Sequence, residues 1–113
     1  IARIYDQLPA EHIQTPKRRD ASNHVFHLYV CRLKKRDALK QYLEKHNIFP
    51  GIHYPSPIHL QPAYEHDIEI ASGMHITESI CNEIISLPMY PELPHEDAQK
   101  IVNTILSFFN AHD

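Results

Sequence analysis

The segment Phe49–Tyr64, FPGIHYPSPIHLQPAY, restricts this chain more than any other part of it. Pro50, Pro55, Pro57 and Gly51 bracket two histidines and a tyrosine. Proline fixes φ, removes a backbone donor and biases the preceding residue toward extended conformations. Such a segment reads as neither a helix nor a central strand. It reads as a stiff, extended loop that holds His53, Tyr54 and His59 in set directions. The amphipathic segments on either side then read as its scaffold.

A chain of 113 residues suits one domain with one modest core. No apolar run approaches the roughly 20 residues of a membrane-spanning helix, and the charged first residues, IARIYDQLPAEH, do not read as a signal peptide. Neither a membrane nor a nucleic acid is the expected partner. The net charge is −3, and no basic run extends beyond three residues, as in Lys17-Arg18-Arg19, whereas a nucleic-acid module shows a basic face. Cys31 and Cys81 sit in apolar patterns with no CxxC, so two reduced core thiols are expected in preference to a disulfide.

Periodicity orders the rest. Ile1, Ile4, Tyr5 and Leu8 share a helical face, and Pro9 is expected to end that helix. The helix has no start or cap, and the chain begins with Ile, which together predict a fragment of a longer protein. Residues 10–23 read as a connector, with a short extended piece at His12–Thr15. His24–Leu33, rich in β-branched and aromatic residues, reads as a central strand covered on both sides. Next come a polar turn at Lys34–Arg36 and a helix over Arg36–Lys45 that buries Ala38, Leu39, Tyr42 and Leu43. Asn47 is its expected left-handed cap, and Ile48–Tyr54 suits a sheet edge.

Leu60–Met74 reads as irregular, with a helical turn near Pro62–Glu65. A helix is expected over Ile76–Glu83, with Ile76, Ile80, Cys81 and Ile84 on one face, then a strand at Ile84–Leu87 ended by Pro88 and Pro91. The last helix, His95–Asn110, buries Ala98, Ile101, Val102, Ile105, Leu106 and Phe109. The fold class is therefore α+β, a small sheet of about three strands backed by helices.

Ten histidines raise the question of a metal. His24 and His27 point to opposite faces of a strand and cannot share an ion. His53 and His59 could converge, with His66 or Asp67 as a third ligand; the expectation is no metal site. No GxSxG, Walker or Gly-rich phosphate loop is present, and two glycines in the chain leave little room for one. For the loop, two readings stand. Either Tyr54, Ile58 and Leu60 pack down and the histidines are solvated, or the loop presents imidazole and phenol groups to sugar hydroxyls or phosphate oxygens.

At these residues the chain resembles the C-terminal small domain of the DegT/DnrJ/StrS family of sugar aminotransferases, which use pyridoxal phosphate. The resemblance rests on IARIYDQL, NHVFHLYVCRL, RDALKQYLEKHNI, GIHYPSPIHLQPAY, EIISLPMYPELPHED and AQKIVNTILSFF, and covers nearly all of the chain. It implies the small domain of a fold-type-I enzyme: residues 1–113 as one domain, 1–9 closing a helix from a large domain, 10–23 connecting and 24–113 forming the core. It implies a cytoplasmic homodimer that moves an amino group from glutamate to a nucleotide-linked keto-sugar, in polysaccharide or antibiotic-sugar biosynthesis. Pyridoxal phosphate acts there as electron sink.

By the same resemblance the Schiff-base lysine, the acid facing the pyridine nitrogen and the phosphate-binding groups belong to the large domain. None of Lys17, Lys34, Lys35, Lys40, Lys45 or Lys100 matches that lysine. No catalytic or cofactor-binding residue is expected in these 113 residues, no cofactor is expected bound to them alone, and alone they should not transaminate. His53 and Tyr54, with His59 beside them, are the expected substrate contacts, orienting the sugar or nucleotide. Two alternatives stay open: a non-catalytic sugar- or protein-binding module, and a dehydratase or regulatory member of the family.

Overall fold

The computed structural model describes residues 1–64 and 73–112. Its elements are α1 (Ala2–Tyr5), β1 (Tyr29–Arg32), α2 (Arg36–Lys45), two 3₁₀ turns (Ile58–Leu60 and Pro62–Tyr64), α3 (His75–Glu83), β2 (Ile84–Leu87) and α4 (His95–His112). The expected α+β class is what is found. β1 and β2 form an antiparallel pair with Tyr29 opposite Leu87, Val30 opposite Ser86, Cys31 opposite Ile85 and Arg32 opposite Ile84. Two single-residue bridges widen it, Gln14 to Arg32 on the outer side of β1 and Gly51 to Ser86 on the outer side of β2. Four chain segments thus lie side by side, although only two are strands.

Helix α2 has its expected limits, with Asp37 in the first turn and Lys45 in the last, where each suits the helix dipole. Asn47 follows at φ 59°, the left-handed turn that ends such a helix. Leu39 and Leu43 are buried, but Ala38 faces solvent, one step off the inward stripe. α4 packs on α1 and α2. Its buried stripe is Ala98, Ile101, Val102, Ile105, Phe108 and Phe109. Phe108 takes the deep place expected for Leu106, which is half-buried. The Phe108 ring lies 5.4 Å from that of Tyr42 and 5.3 Å from that of Phe109.

The expected strand at His24–Leu33 is a strand only over Tyr29–Arg32. Phe26 has φ 50°, its N–H donates to Nδ1 of His24 at 2.8 Å, and Val25 is 90% exposed. A side-chain acceptor two residues back competes with the ladder for the backbone donor and turns the chain out of the sheet. Nor is the strand covered equally on both faces. Tyr29 and Cys31 are buried, while Val30 and Arg32 are half-buried, and Arg32 Nε donates to Glu83 at 2.5 Å. That bond and one from the Ser79 hydroxyl hold the Glu83 carboxyl below its usual range.

The opening helix is a single turn. It continues through three-residue bonds from Gln7 N–H to Ile4 C=O and from Leu8 N–H to Tyr5 C=O, ahead of Pro9. The Tyr5 hydroxyl donates to Pro88 C=O at 2.7 Å and the Tyr29 hydroxyl to Asp6 Oδ1 at 2.8 Å. Burial first, with nearby acidic groups adding to it, pushes both phenols above their ordinary range.

The two thiols differ. Cys31 is fully buried, and burial pushes its pKa up to about 12. Cys81 is half-buried and so is not the core thiol expected. A thiolate, not a thiol, is the nucleophile. Iodoacetamide at about pH 8 is therefore expected to alkylate Cys81 at least about tenfold faster than Cys31 in the folded chain. Equal rates, read by peptide mass, would contradict this burial.

Candidate functional site

The Pro-rich loop leaves the sheet through Gly51. Its N–H donates to Ser86 C=O at 2.9 Å, and Ser86 N–H donates back to Gly51 C=O at 2.8 Å. This reciprocal bridge fixes the base of the loop on β2. Two residues on, Nδ1 of His53 lies 2.9 Å from the Ser86 hydroxyl oxygen, within hydrogen-bond reach. Ser86 is 3% exposed, so an exposed imidazole is tied to a buried anchor. The Tyr54 ring stands edge-on to that imidazole at 5.6 Å and is 71% exposed.

Gly51 is needed here for space. A Cβ at this position would meet Cε1 of His53 at 2.5 Å. Gly51→Ala is expected to push the imidazole off Ser86 and cost about 1 kcal/mol through the lost hydrogen bond. The check is the His53 ring resonances, which should move with the fold otherwise intact. Unchanged ring signals would rule this packing out.

Beyond Pro55 the loop turns back rather than staying extended. Pro57 precedes the first 3₁₀ turn with φ −68° and ψ 154°, and Pro62 opens the second. A proline at the start of a turn gives up no hydrogen bond the turn would use. The bonds that close the turns run from Leu60 N–H to Pro57 C=O, Gln61 N–H to Ile58 C=O and Tyr64 N–H to Gln61 C=O. The reading in which Tyr54, Ile58 and Leu60 pack down is overturned, since all three are exposed.

His59 goes the other way. It is 8% exposed, and its Nε2 donates to Glu78 Oε1 at 2.9 Å on α3. His53 and His59 are therefore placed differently, one outward on β2 and one inward against α3. Between the loop and α3 lies a hollow of about 360 Å³ lined by Tyr54, Pro57, Ile58, His59, Met74 and Cys81. α3 itself has no fully buried residue, and Ile76, expected on its inward face, is 61% exposed. A second concavity, a cleft of about 600 Å³ flanked by His12, Arg32, Lys34, Lys35, Glu83 and Phe109, shares no lining residue with the hollow.

Among the described residues no group of three His, Cys, Asp or Glu side chains could hold a metal ion. The suggestion that His66 or Asp67 could join His53 and His59 lies outside the described residues, as does Glu65 and most of the stretch expected to be irregular. Among the described residues no helix is long and apolar enough to cross a membrane.

Three residues that sequence reasoning missed support this site. Ser86 reads from sequence only as part of a strand. Glu78 lies outside the apolar face expected for α3. Arg36 reads as part of a polar turn, but it is buried, and Nη1 donates to Cys81 C=O at 3.2 Å and Ile84 C=O at 3.0 Å. It thus holds the junction of α3 and β2 through carbonyls that the helix end leaves open. Its Nε approaches Asp37 Oδ1 at 2.6 Å without hydrogen-bond alignment.

The α+β fold of this domain is also found in known aminotransferases. A crystal structure of a DegT DnrJ EryC1 StrS aminotransferase from Brucella abortus superposes with a TM-score of 0.86 and 33% identity, covering 95% of this chain and 29% of that one. The sequence profile of the DegT/DnrJ/EryC1/StrS aminotransferase family matches residues 1–106, and the chain belongs to that family. It is 38% identical over 93 residues to a dTDP-3-amino-3,6-dideoxy-alpha-D-galactopyranose transaminase of Aneurinibacillus thermoaerophilus, covering 82% of this chain and 25% of that protein. It is 36% identical over 107 residues to a pleiotropic regulatory protein of Geobacillus stearothermophilus, covering 95% of this chain and 29% of that one. The chain thus spans between a quarter and three-tenths of the length of these relatives.

Aminotransferases of this family depend on pyridoxal phosphate. A Schiff-base lysine needs an enclosed site that keeps water from the imine and lowers the amine pKa. Lys17, Lys34, Lys35, Lys45 and Lys100 are exposed, and half-buried Lys40 pairs with Glu44. The residues of this chain do not by themselves fit the cofactor.

Proposed function

We propose that this chain is the small-domain part of a pyridoxal-phosphate aminotransferase acting on a nucleotide-linked keto-sugar, with glutamate as amino donor. The observation that carries the reading is His53, exposed beside Tyr54 and fastened to buried Ser86, in a chain of this family. Imidazole and phenol both donate to and accept from sugar hydroxyls, and both donate to phosphate oxygens. Held rigidly, they orient a ligand at little entropic cost. His53 and Tyr54 are the residues that touch substrate in this reading, and His59 shapes the hollow behind them. The name of the Aneurinibacillus relative supports the sugar class.

Homodimer formation belongs to the same proposal. Phe49, Ile58, Leu60 and Ile76 are large, apolar and exposed, which favours cover by a second surface. A second reading, a regulatory member of the family, has one specific support, the name of the Geobacillus relative.

The test is amino transfer by the natural-length protein with pyridoxal phosphate, glutamate and a dTDP- or UDP-linked keto-sugar. Formation of the amino-sugar supports the proposal. Binding of the nucleotide sugar with no transfer would favour the regulatory reading. Turnover by the 113 residues alone would contradict the assignment of the chemistry to residues outside them.

A further inference from the structure

We infer that Ser86 is a positioning residue that sets the tautomer of His53, so that His53 meets its ligand as an Nε2–H donor. The inference rests on the substrate-site reading for its consequence but on geometry for its substance. Among the described residues the Ser86 hydroxyl has one hydrogen-bond partner, Nδ1 of His53 at 2.9 Å. Ser86 is 3% exposed, and both of its backbone groups are engaged with Gly51. A buried hydroxyl proton without an acceptor costs about 1–3 kcal/mol. The hydroxyl therefore donates, Nδ1 accepts, and the proton of the neutral ring is placed on Nε2.

The surroundings keep it there. The Gly51–Ser86 bridge holds the two backbones in register. The ring lies over Gly51 where any Cβ would collide with it, and Tyr54 closes the side at 5.6 Å. A ring fixed this way offers a hydrogen-bond donor outward. It favours a ligand oxygen that accepts, a sugar hydroxyl, a keto oxygen or a phosphate oxygen, over a group that only donates.

The experiment uses natural-length protein with ¹⁵N-labelled histidine at about pH 8.5, where an ordinary imidazole is neutral, and assigns His53 by its loss in His53→Gln. The expected spectrum has Nδ1 in the unprotonated range and Nε2 in the protonated range. Ser86→Ala should collapse this toward a tautomer average and weaken binding of a dTDP-linked sugar about tenfold, the net worth of one hydrogen bond. Ser86→Thr, which keeps the hydroxyl and suits a strand, should restore both. A proton on Nδ1 in the unsubstituted protein, or a tautomer signature unmoved by Ser86→Ala, would overturn the inference. If the signature behaves as expected but neither Ser86→Ala nor His53→Gln alters sugar binding, Ser86 keeps its role and the substrate-site reading fails.

Discussion

Replacing His53 with alanine in the natural-length protein is expected to lower kcat/KM for the nucleotide sugar about 30- to 100-fold, or about 2–3 kcal/mol of transition-state stabilisation. Folding stability should fall by only about 1 kcal/mol. The imidazole is exposed and contributes little to the core, so the loss comes from the buried Ser86 hydroxyl left without its partner. That cause is separable. In the double variant His53→Ala/Ser86→Ala the orphaned hydroxyl is gone, so stability should recover while kcat/KM does not. If His53→Ala lowers stability but leaves kcat/KM within about twofold, the loop is packing and nothing more.

Phe108→Ala should have the largest effect on folding, a loss of about 3–5 kcal/mol. The residue is 1% exposed and lies where α4 meets α2, against Tyr42 and Phe109. Against a total of about 5–15 kcal/mol for an ordinary domain, such a loss leaves the chain close to unfolding at body temperature. Urea unfolding measures it. Phe108→Leu, which keeps most of the volume, should cost less than half as much. A loss below about 1 kcal/mol for the alanine variant would mean that the α2–α4 contact is not a keystone of the core.

The segments that were legible in the sequence are those whose structure is local. Arg36–Lys45, Ile84–Leu87 and the body of α4 follow from hydrophobic spacing, and the left-handed Asn47 follows from helix-end chemistry. The Gly51 edge and the extended piece near Gln14 were also readable, because prolines and polar residues bound them. What failed depended on contacts distant in sequence or on one competing side chain. The His24 acceptor undoes the first half of the expected strand, which no alternation of apolar residues reveals. Phe108 displaces Leu106 from the interior because Tyr42, 66 positions earlier, is there to receive it. Ile76 looked buried by spacing alone but is 61% exposed, while Ile80 on the same face is half-buried.

The site divides along the same line. Proline and glycine marked the loop as irregular, and His53 and Tyr54 are exposed on it. Nothing in the sequence pairs His53 with Ser86, 33 positions away, or His59 with Glu78, 19 positions away. Histidine spacing suggested that His53 and His59 could face each other. The 3₁₀ turn after Pro57 instead sends His59 inward, to a carboxylate on α3. Sequence singled out the loop histidines and Tyr54, and the fold supplied the partners Ser86 and Glu78.

A crystal structure of the natural-length protein with a dTDP-linked sugar bound tests the central assignment most directly. The account predicts Nε2 of His53 within about 3.2 Å of a ligand oxygen, Nδ1 still on Ser86, and the Tyr54 hydroxyl turned toward the same ligand. A ligand fully bound elsewhere, with both side chains facing bulk solvent, would contradict it.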